Sequence, residues 1–130
     1  MTCNILIVDD SHVTRAVLEK TIRMADLPVD SIFQAADGCE ALDIIAAKPV
    51  QLVMTDLNMP SLNGAQLTDQ LHNDPATAHI PVVVVTAEAC TRHIRQLDAT
   101  GIRALIHKPF TPETVRDTLV GLLPEPTPNH

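Results

Sequence analysis

The stretch ILIVDD, Ile5–Asp10, places four apolar and mostly β-branched residues directly before two adjacent aspartates. An apolar run of this length is typical of a short strand that is covered on both faces, as in a parallel sheet. The two neighbouring carboxylates repel each other. They are therefore either solvated charges at a turn or part of a site that holds a positive group.

Similar apolar runs recur along the chain and alternate with longer segments of helical period. The predicted strands are Asn4–Val8, Ser31–Ala35, Gln51–Thr55, Val82–Thr86 and Arg103–His107, and the predicted helices are 12–26, 38–47, 64–73, 88–98 and 112–123. Asp37 and Glu40 have the spacing of a capping box at the start of the second helix. Five strands alternating with five helices predict an α/β doubly wound fold, with a parallel sheet between two helical layers.

The length and composition predict one soluble domain, residues 1–123, followed by a proline-rich tail or linker stub at 124–130. The net charge of −7 and the absence of Trp and Tyr argue against a direct nucleic-acid surface. We expect no membrane span, because the apolar runs are too short, and no signal peptide. The three cysteines lack metal-type spacing, so we expect a cytoplasmic protein with reduced thiols, and we expect Cys39 and Cys90 to be buried in helices.

Polar side chains follow the predicted strands at the edge where folds of this class bind ligands. That edge collects Asp9, Asp10, Asp56, Thr86 and Lys108. Clustered carboxylates need a counter-charge to stay ionised, and a set of oxygen ligands favours Mg²⁺ over Zn²⁺. Lys108 offers a point charge for a phosphoryl oxygen, and Thr86 offers a hydroxyl donor. An ionised aspartate beside them is a suitable nucleophile, which implies phosphoryl transfer to a carboxylate.

The motifs at these positions resemble the receiver domain of bacterial response regulators, which act in two-component signalling. The resemblance covers roughly residues 3–123 and implies a flavodoxin-like (βα)5 fold with strand order 2-1-3-4-5. The residues that carry it are Val8-Asp9-Asp10-Ser11, Ala36-Asp37-Gly38-x-Glu40-Ala41-Leu42, Thr55-Asp56-Leu57-Asn58-Met59-Pro60, Asn63-Gly64, Val85-Thr86-Ala87 and Lys108-Pro109-Phe110.

The resemblance also implies roles for individual residues. Asp56 would be the phosphoacceptor, and a histidine kinase or a phosphotransfer protein would supply the phosphoryl group. Asp10 would bind Mg²⁺ directly, Asp9 would bind it through water, and Asn58 would bind it through its backbone carbonyl. The metal site would also include Asp56. The phosphorylated domain would regulate a downstream protein partner through the face built by the fourth helix, the fifth strand and the fifth helix.

The remaining family positions concern how the phosphoryl group is held and read. Thr86 and Lys108 would contact its oxygens, and the resemblance implies a cis peptide between Lys108 and Pro109. The family usually has an aromatic residue three positions before this lysine, but here Leu105 occupies that position. The residue set for phosphorylation is complete, so the expected change lies in the readout.

Two alternative functions remain open from the sequence. One is an adaptor that keeps the receiver fold and works without phosphorylation. The other is a magnesium-dependent phosphatase with an aspartyl-phosphate intermediate. Such enzymes typically carry a D-x-D motif after the first strand and a cap over the substrate, whereas this chain has D-D and no segment long enough for a cap. We therefore expect a switch that catalyses only its own phosphorylation and hydrolysis, and not a metabolic enzyme.

Overall fold

The computed structural model describes residues 3–56, 62, 64–86 and 102–122, without the side chain of residue 65. In chain order the elements are β1 (Asn4–Val8), α1 (His12–Met24), β2 (Ser31–Ala35), α2 (Gly38–Ala47), β3 (Leu52–Thr55), α3 (Gly64–Asn73), β4 (Val82–Thr86), β5 (Ala104–His107) and α4 (Pro112–Val120). The predicted helix at 88–98 and the predicted tail at 124–130 lie outside the described residues.

The five strands form one parallel sheet in the order β2-β1-β3-β4-β5, which confirms the predicted topology. The order puts β1 and β3 side by side at its centre. Val8, the last residue of β1, pairs with Ala35 of β2 on one side and with Thr55 of β3 on the other. The residues that follow β1 and β3 are therefore neighbours at the carboxyl edge of the sheet.

The side chains of the central strands alternate between two cores, because successive residues of a strand point to opposite faces. Ile5 and Ile7 pack with α1 and α4, whereas Leu6 and Val8 pack with α2 and α3. Every residue of β1 is buried. A strand covered on both faces has no position that faces water, which explains the run of four apolar residues at Ile5–Val8.

Several predicted boundaries shift by one to three residues. The first helix ends at Met24 instead of residue 26, because Asp26 has a φ of 56°, in the left-handed region that ends a helix. The last helix ends at Val120, and Gly121 is its C-cap. The N-cap prediction is confirmed at Asp37, whose Oδ1 accepts the Glu40 N–H at 2.8 Å.

One predicted burial is wrong. Cys39 is exposed on α2, while its neighbour Gly38 and Ala41 are buried. Consecutive positions of a helix point about 100° apart, and Cys39 lies on the side of α2 that faces away from the core. Cys90 lies outside the described residues. In the described segments, no helix has the length and hydropathy needed to cross a bilayer.

Candidate functional site

Three carboxylates meet at the carboxyl edge of the two central strands. Asp9 and Asp10 follow β1, and Asp56 follows β3. The Asp56 N–H donates to the Val8 carbonyl at 2.9 Å, which holds the end of β3 beside the end of β1. One carboxylate oxygen from each of the three aspartates lies within 4.8 Å of the others. The predicted convergence of these three residues is confirmed.

The three carboxylates differ in their contact with solvent. Asp9 is buried, Asp56 is half-buried and Asp10 is exposed. The cluster is therefore a shallow surface site with one carboxylate at its base and one at its rim. Like charges this close repel one another, and a cation placed among them would reduce that repulsion.

Lys108 follows the edge strand β5 and brings a positive charge to the carboxylates. Its backbone N–H donates to the Thr86 carbonyl at 2.9 Å, directly after β5. Its ammonium lies 3.3 Å from Asp9 Oδ2 and 3.7 Å from Asp56 Oδ2. Because β3 and β4 separate β5 from β1, the side chain extends along the ends of both strands. The Lys108–Pro109 peptide is cis, as the resemblance implied.

Asp9 is held by contacts on both of its carboxylate oxygens. Oδ2 faces Lys108, and Oδ1 accepts the Ser11 N–H at 2.8 Å. Ser11 is also the N-cap of α1, and its Oγ accepts the Thr14 N–H at 3.2 Å. Ser11 therefore both caps the start of α1 and orients the buried carboxylate of Asp9.

Three further positions singled out by the sequence are Thr86, Asn58 and Leu105. Thr86 is the last residue of β4 and is buried, at the same edge as Asp56 and Lys108. Asn58 lies outside the described residues. Leu105 is a half-buried residue of β5 that packs with Val84 and Ile102 on one face of the sheet. The position that is usually aromatic in the resembled family is thus filled by an aliphatic side chain.

Two contacts near the site were not apparent from the sequence patterns. Arg15 Nη1 donates to the Asp9 carbonyl at 2.6 Å. Arg15 lies one turn after Ser11 on the same helix face, which is the signal that could have pointed to it. Gly38 N–H donates to the Leu62 carbonyl at 3.3 Å, and a Cβ on Gly38 would lie 2.7 Å from that oxygen. This close approach ties the start of α2 to the segment that leads from Asp56 to α3.

One cavity in the described structure lies away from the carboxylates. It has a volume of about 610 Å³ and is lined by Leu42, Val50, Leu71 and Ile80, among others. Val50 precedes β3 and Ile80 precedes β4, so the cavity lies at the amino edge of the sheet. The cavity wall also includes Asp74 and His79. We place the candidate site at the carboxylate cluster, because three carboxylates and one ammonium converge there.

Comparison with known proteins agrees with this geometry. Residues 5–120 match the response regulator receiver domain family. The chain is 35% identical to the chemotaxis protein CheY-3 of Vibrio cholerae over 115 residues, which cover 88% of this chain and 87% of that protein. It is 32% identical to the chemotaxis protein CheY of Pseudomonas aeruginosa, over 88% of this chain and 91% of that one. The crystal structure of Vibrio cholerae CheY4 aligns with a TM-score of 0.85 and 28% identity, over 95% of this chain and all of that one.

Proposed function

The chain belongs to the response regulator receiver domain family of two-component signalling, and on that premise we propose that Asp56 accepts a phosphoryl group in a Mg²⁺-dependent reaction. The donor is a phosphohistidine on a histidine kinase or a phosphotransfer protein. The phosphorylated domain then changes conformation and regulates a protein partner. The observation that carries the proposal is the convergence of Asp9, Asp10 and Asp56 with the Lys108 ammonium.

The carboxylate cluster fits a magnesium ion. Its donors are all oxygens, they lie within 4.8 Å of one another, and they include an exposed member through which an ion can enter. Asp10 would hold the ion directly and Asp9 would hold it through water, and Asp56 and the Asn58 carbonyl would complete the protein ligands. The bound cation supplies positive charge to the phosphoryl oxygens.

Burial and hydrogen bonding support Asp56 as the acceptor. Asp9 is only 4% exposed, and its two oxygens already face Ser11 and Lys108, which leaves little access for a donor protein. Asp56 is more exposed and has the ammonium 3.7 Å from one oxygen. A positive group beside the accepting carboxylate stabilises the charge that builds up during transfer.

The reaction forms one bond and breaks another. A carboxylate oxygen of Asp56 bonds to phosphorus while the phosphorus–nitrogen bond of phosphohistidine breaks, and the electron pair stays on the imidazole nitrogen. Lys108 and the Thr86 hydroxyl contact phosphoryl oxygens in the product. Later attack by water returns Asp56 to the carboxylate and releases phosphate, so the protein catalyses only its own phosphorylation and dephosphorylation.

The proposed output surface includes β5 and α4. Lys108 follows β5 directly and lies on the connection to α4, so a movement of the lysine toward a phosphoryl group acts on that connection. The predicted helix at 88–98 would complete this surface and lies outside the described residues. With Leu105 on β5, the signal passes through small aliphatic repacking against Val84 and Ile102, and not through rotation of an aromatic ring.

The test measures phosphoryl incorporation from acetyl phosphate by intact-protein mass spectrometry. We expect the wild type to gain one phosphoryl group with Mg²⁺ and none with EDTA. Asp56→Asn should gain none, whereas Asp117→Asn, an exposed aspartate on α4, should behave as the wild type. Undiminished labelling of Asp56→Asn would refute the assignment. A folded wild type that takes up no phosphate would favour the phosphorylation-independent adaptor, and sustained turnover of a phosphomonoester would favour the phosphatase.

A further inference from the structure

Arg15 connects the start of α1 to the turn that carries the acidic pair. Its Nη1 donates to the Asp9 carbonyl at 2.6 Å, and its Nε donates to Gln34 Oε1 at 3.2 Å. Gln34 lies in β2, and its Nε2 in turn donates to Glu19 Oε1, on α1, at 3.1 Å. All of the residues that hold the guanidinium are partly or fully buried.

The contact at the Asp9 carbonyl occurs where the sheet stops. The pairing of β1 with β2 ends at Val8 and Ala35, and the Asp9 N–H still donates to the Ala35 carbonyl at 3.1 Å. In a parallel ladder the carbonyl of the same residue would next accept the N–H of residue 37. Residue 37 is instead the N-cap of α2. Arg15 therefore supplies a donor to a carbonyl that the ladder no longer serves.

This carbonyl belongs to the peptide group between Asp9 and Asp10. A hydrogen bond to it fixes the plane of that peptide, and with it the directions in which the two aspartate side chains leave the backbone. We propose that Arg15 is a positioning residue of the metal site, which sets the Asp9–Asp10 peptide for Mg²⁺ binding. This inference rests on the proposed function, because it assumes that the carboxylates bind the ion.

The guanidinium suits this task because it is planar and holds its five N–H donors rigidly, and two of their directions are used here. One direction serves the carbonyl, and the other anchors the group on β2 through Gln34. Gln34 is in turn hydrogen-bonded to Glu19, which lies on α1, the helix that also carries Arg15. Such anchoring lowers the freedom of the arginine before any metal arrives, and loss of comparable supporting contacts weakens metal sites by about 10-fold to 100-fold.

The test is calorimetric titration of the unphosphorylated full chain with MgCl₂. We expect the dissociation constant of Arg15→Ala to rise about tenfold, at the lower end of that range, because no metal ligand is removed. Arg15→Lys should fall between the two, since an ammonium can reach the carbonyl but cannot also hold Gln34 in the same fork. Arg23→Ala is the matched control, because it removes the same charge from the exposed end of α1.

The route through Gln34 has its own test. Gln34→Leu should weaken binding less than Arg15→Ala, and the double variant should bind as Arg15→Ala alone, because both changes break the same chain of contacts. Urea unfolding in EDTA, followed by circular dichroism, identifies any variant that is not folded. If Arg15→Ala does not fold, Arg15→Lys and Gln34→Leu decide the question.

The outcomes separate the inference from its premise. Affinities of the folded Arg15 and Gln34 variants within twofold of the wild type would overturn the positioning role and leave the metal site intact. A wild type without saturable Mg²⁺ binding would overturn the metal site and the positioning role together.

Discussion

The close contact of Gly38 with Leu62 predicts how much the substitution Gly38→Ala destabilises the protein. An added Cβ would lie 2.7 Å from both the carbonyl oxygen and the Cβ of Leu62, whereas ordinary van der Waals contact begins at 3.4 Å. For Gly38→Ala, the Leu62 segment must therefore move by about 0.7 Å, from 2.7 to 3.4 Å. The clashing atoms are backbone and Cβ, so a rotamer change cannot remove the contact.

Overpacking of this kind costs about 1–3 kcal/mol. Replacing glycine by alanine also stabilises the folded protein by up to about 1 kcal/mol, because alanine restricts the unfolded chain and has the higher helix propensity. With the overpacking cost at the middle of its range, about 2 kcal/mol, we expect Gly38→Ala to lower the free energy of unfolding by about 1–2 kcal/mol, which corresponds to a fall in Tm of about 4–8 °C. Urea titration followed by circular dichroism measures the first quantity, and a thermal scan measures the second.

Gly121→Ala is the matched control. Its φ and ψ of −79° and −10° suit any residue, and an added Cβ meets nothing within 4 Å. We expect this variant to equal the wild type or to gain about 0.4–1 kcal/mol. If Gly38→Ala proves as stable as Gly121→Ala, the close approach of α2 to Leu62 is wrong.

Two further predictions concern charge. Lys108→Gln should lower the free energy of unfolding in EDTA by about 1 kcal/mol, because the partly exposed ammonium offsets the charges of Asp9 and Asp56. In urea titrations with Mg²⁺, the difference in unfolding free energy between this variant and the wild type should be smaller. Lys20→Gln should change the free energy of unfolding little with or without Mg²⁺. Burial, and secondarily the charge of Asp30, raises the pKa of the Cys3 thiol above its ordinary value of 9.0. The folded state therefore keeps this proton at a pH where the unfolded state has lost it, so its contribution is complete below about pH 9 and declines as the pH rises. Unfolding titrations between about pH 8 and 11 should show a steeper loss of stability for the wild type than for Cys3→Ala, and equal slopes would contradict the raised pKa.

The sequence predicted the sheet and the meeting of its charged residues well, for a physical reason. Strands such as β1 are buried on both faces, so their apolar runs are continuous and easy to locate. In a parallel sheet all carboxyl ends share one edge, so the residues after each strand converge without knowledge of any distance. Asp56 and Lys108 could therefore be placed together although they lie 52 positions apart in the chain.

Other contacts depend on distances between elements, which the periodicity of apolar residues in the sequence does not predict. The role of Arg15 depends on where the β1–β2 pairing ends, and the sequence pattern is the same whether the ladder stops at residue 35 or continues. The approach of Gly38 to Leu62 depends on the spacing between α2 and the loop after β3. The burial of Cys39 was wrongly predicted because α2 carries apolar residues around most of its circumference, so the pattern did not identify its inward face.

The central position of the carboxylates has a consequence for folding itself. Pairing of β1 with β3 buries the apolar residues of both strands, and the same pairing brings Asp9 and Asp56 together at the strand ends. The first effect favours the pairing, and the second opposes it by charge repulsion. The cation that offsets this repulsion, Lys108, stands 99 residues after Asp9 and becomes available only once β5 has joined the sheet. Any order of assembly in which β1 and β3 pair before β5 has joined the sheet must therefore proceed against this charge repulsion.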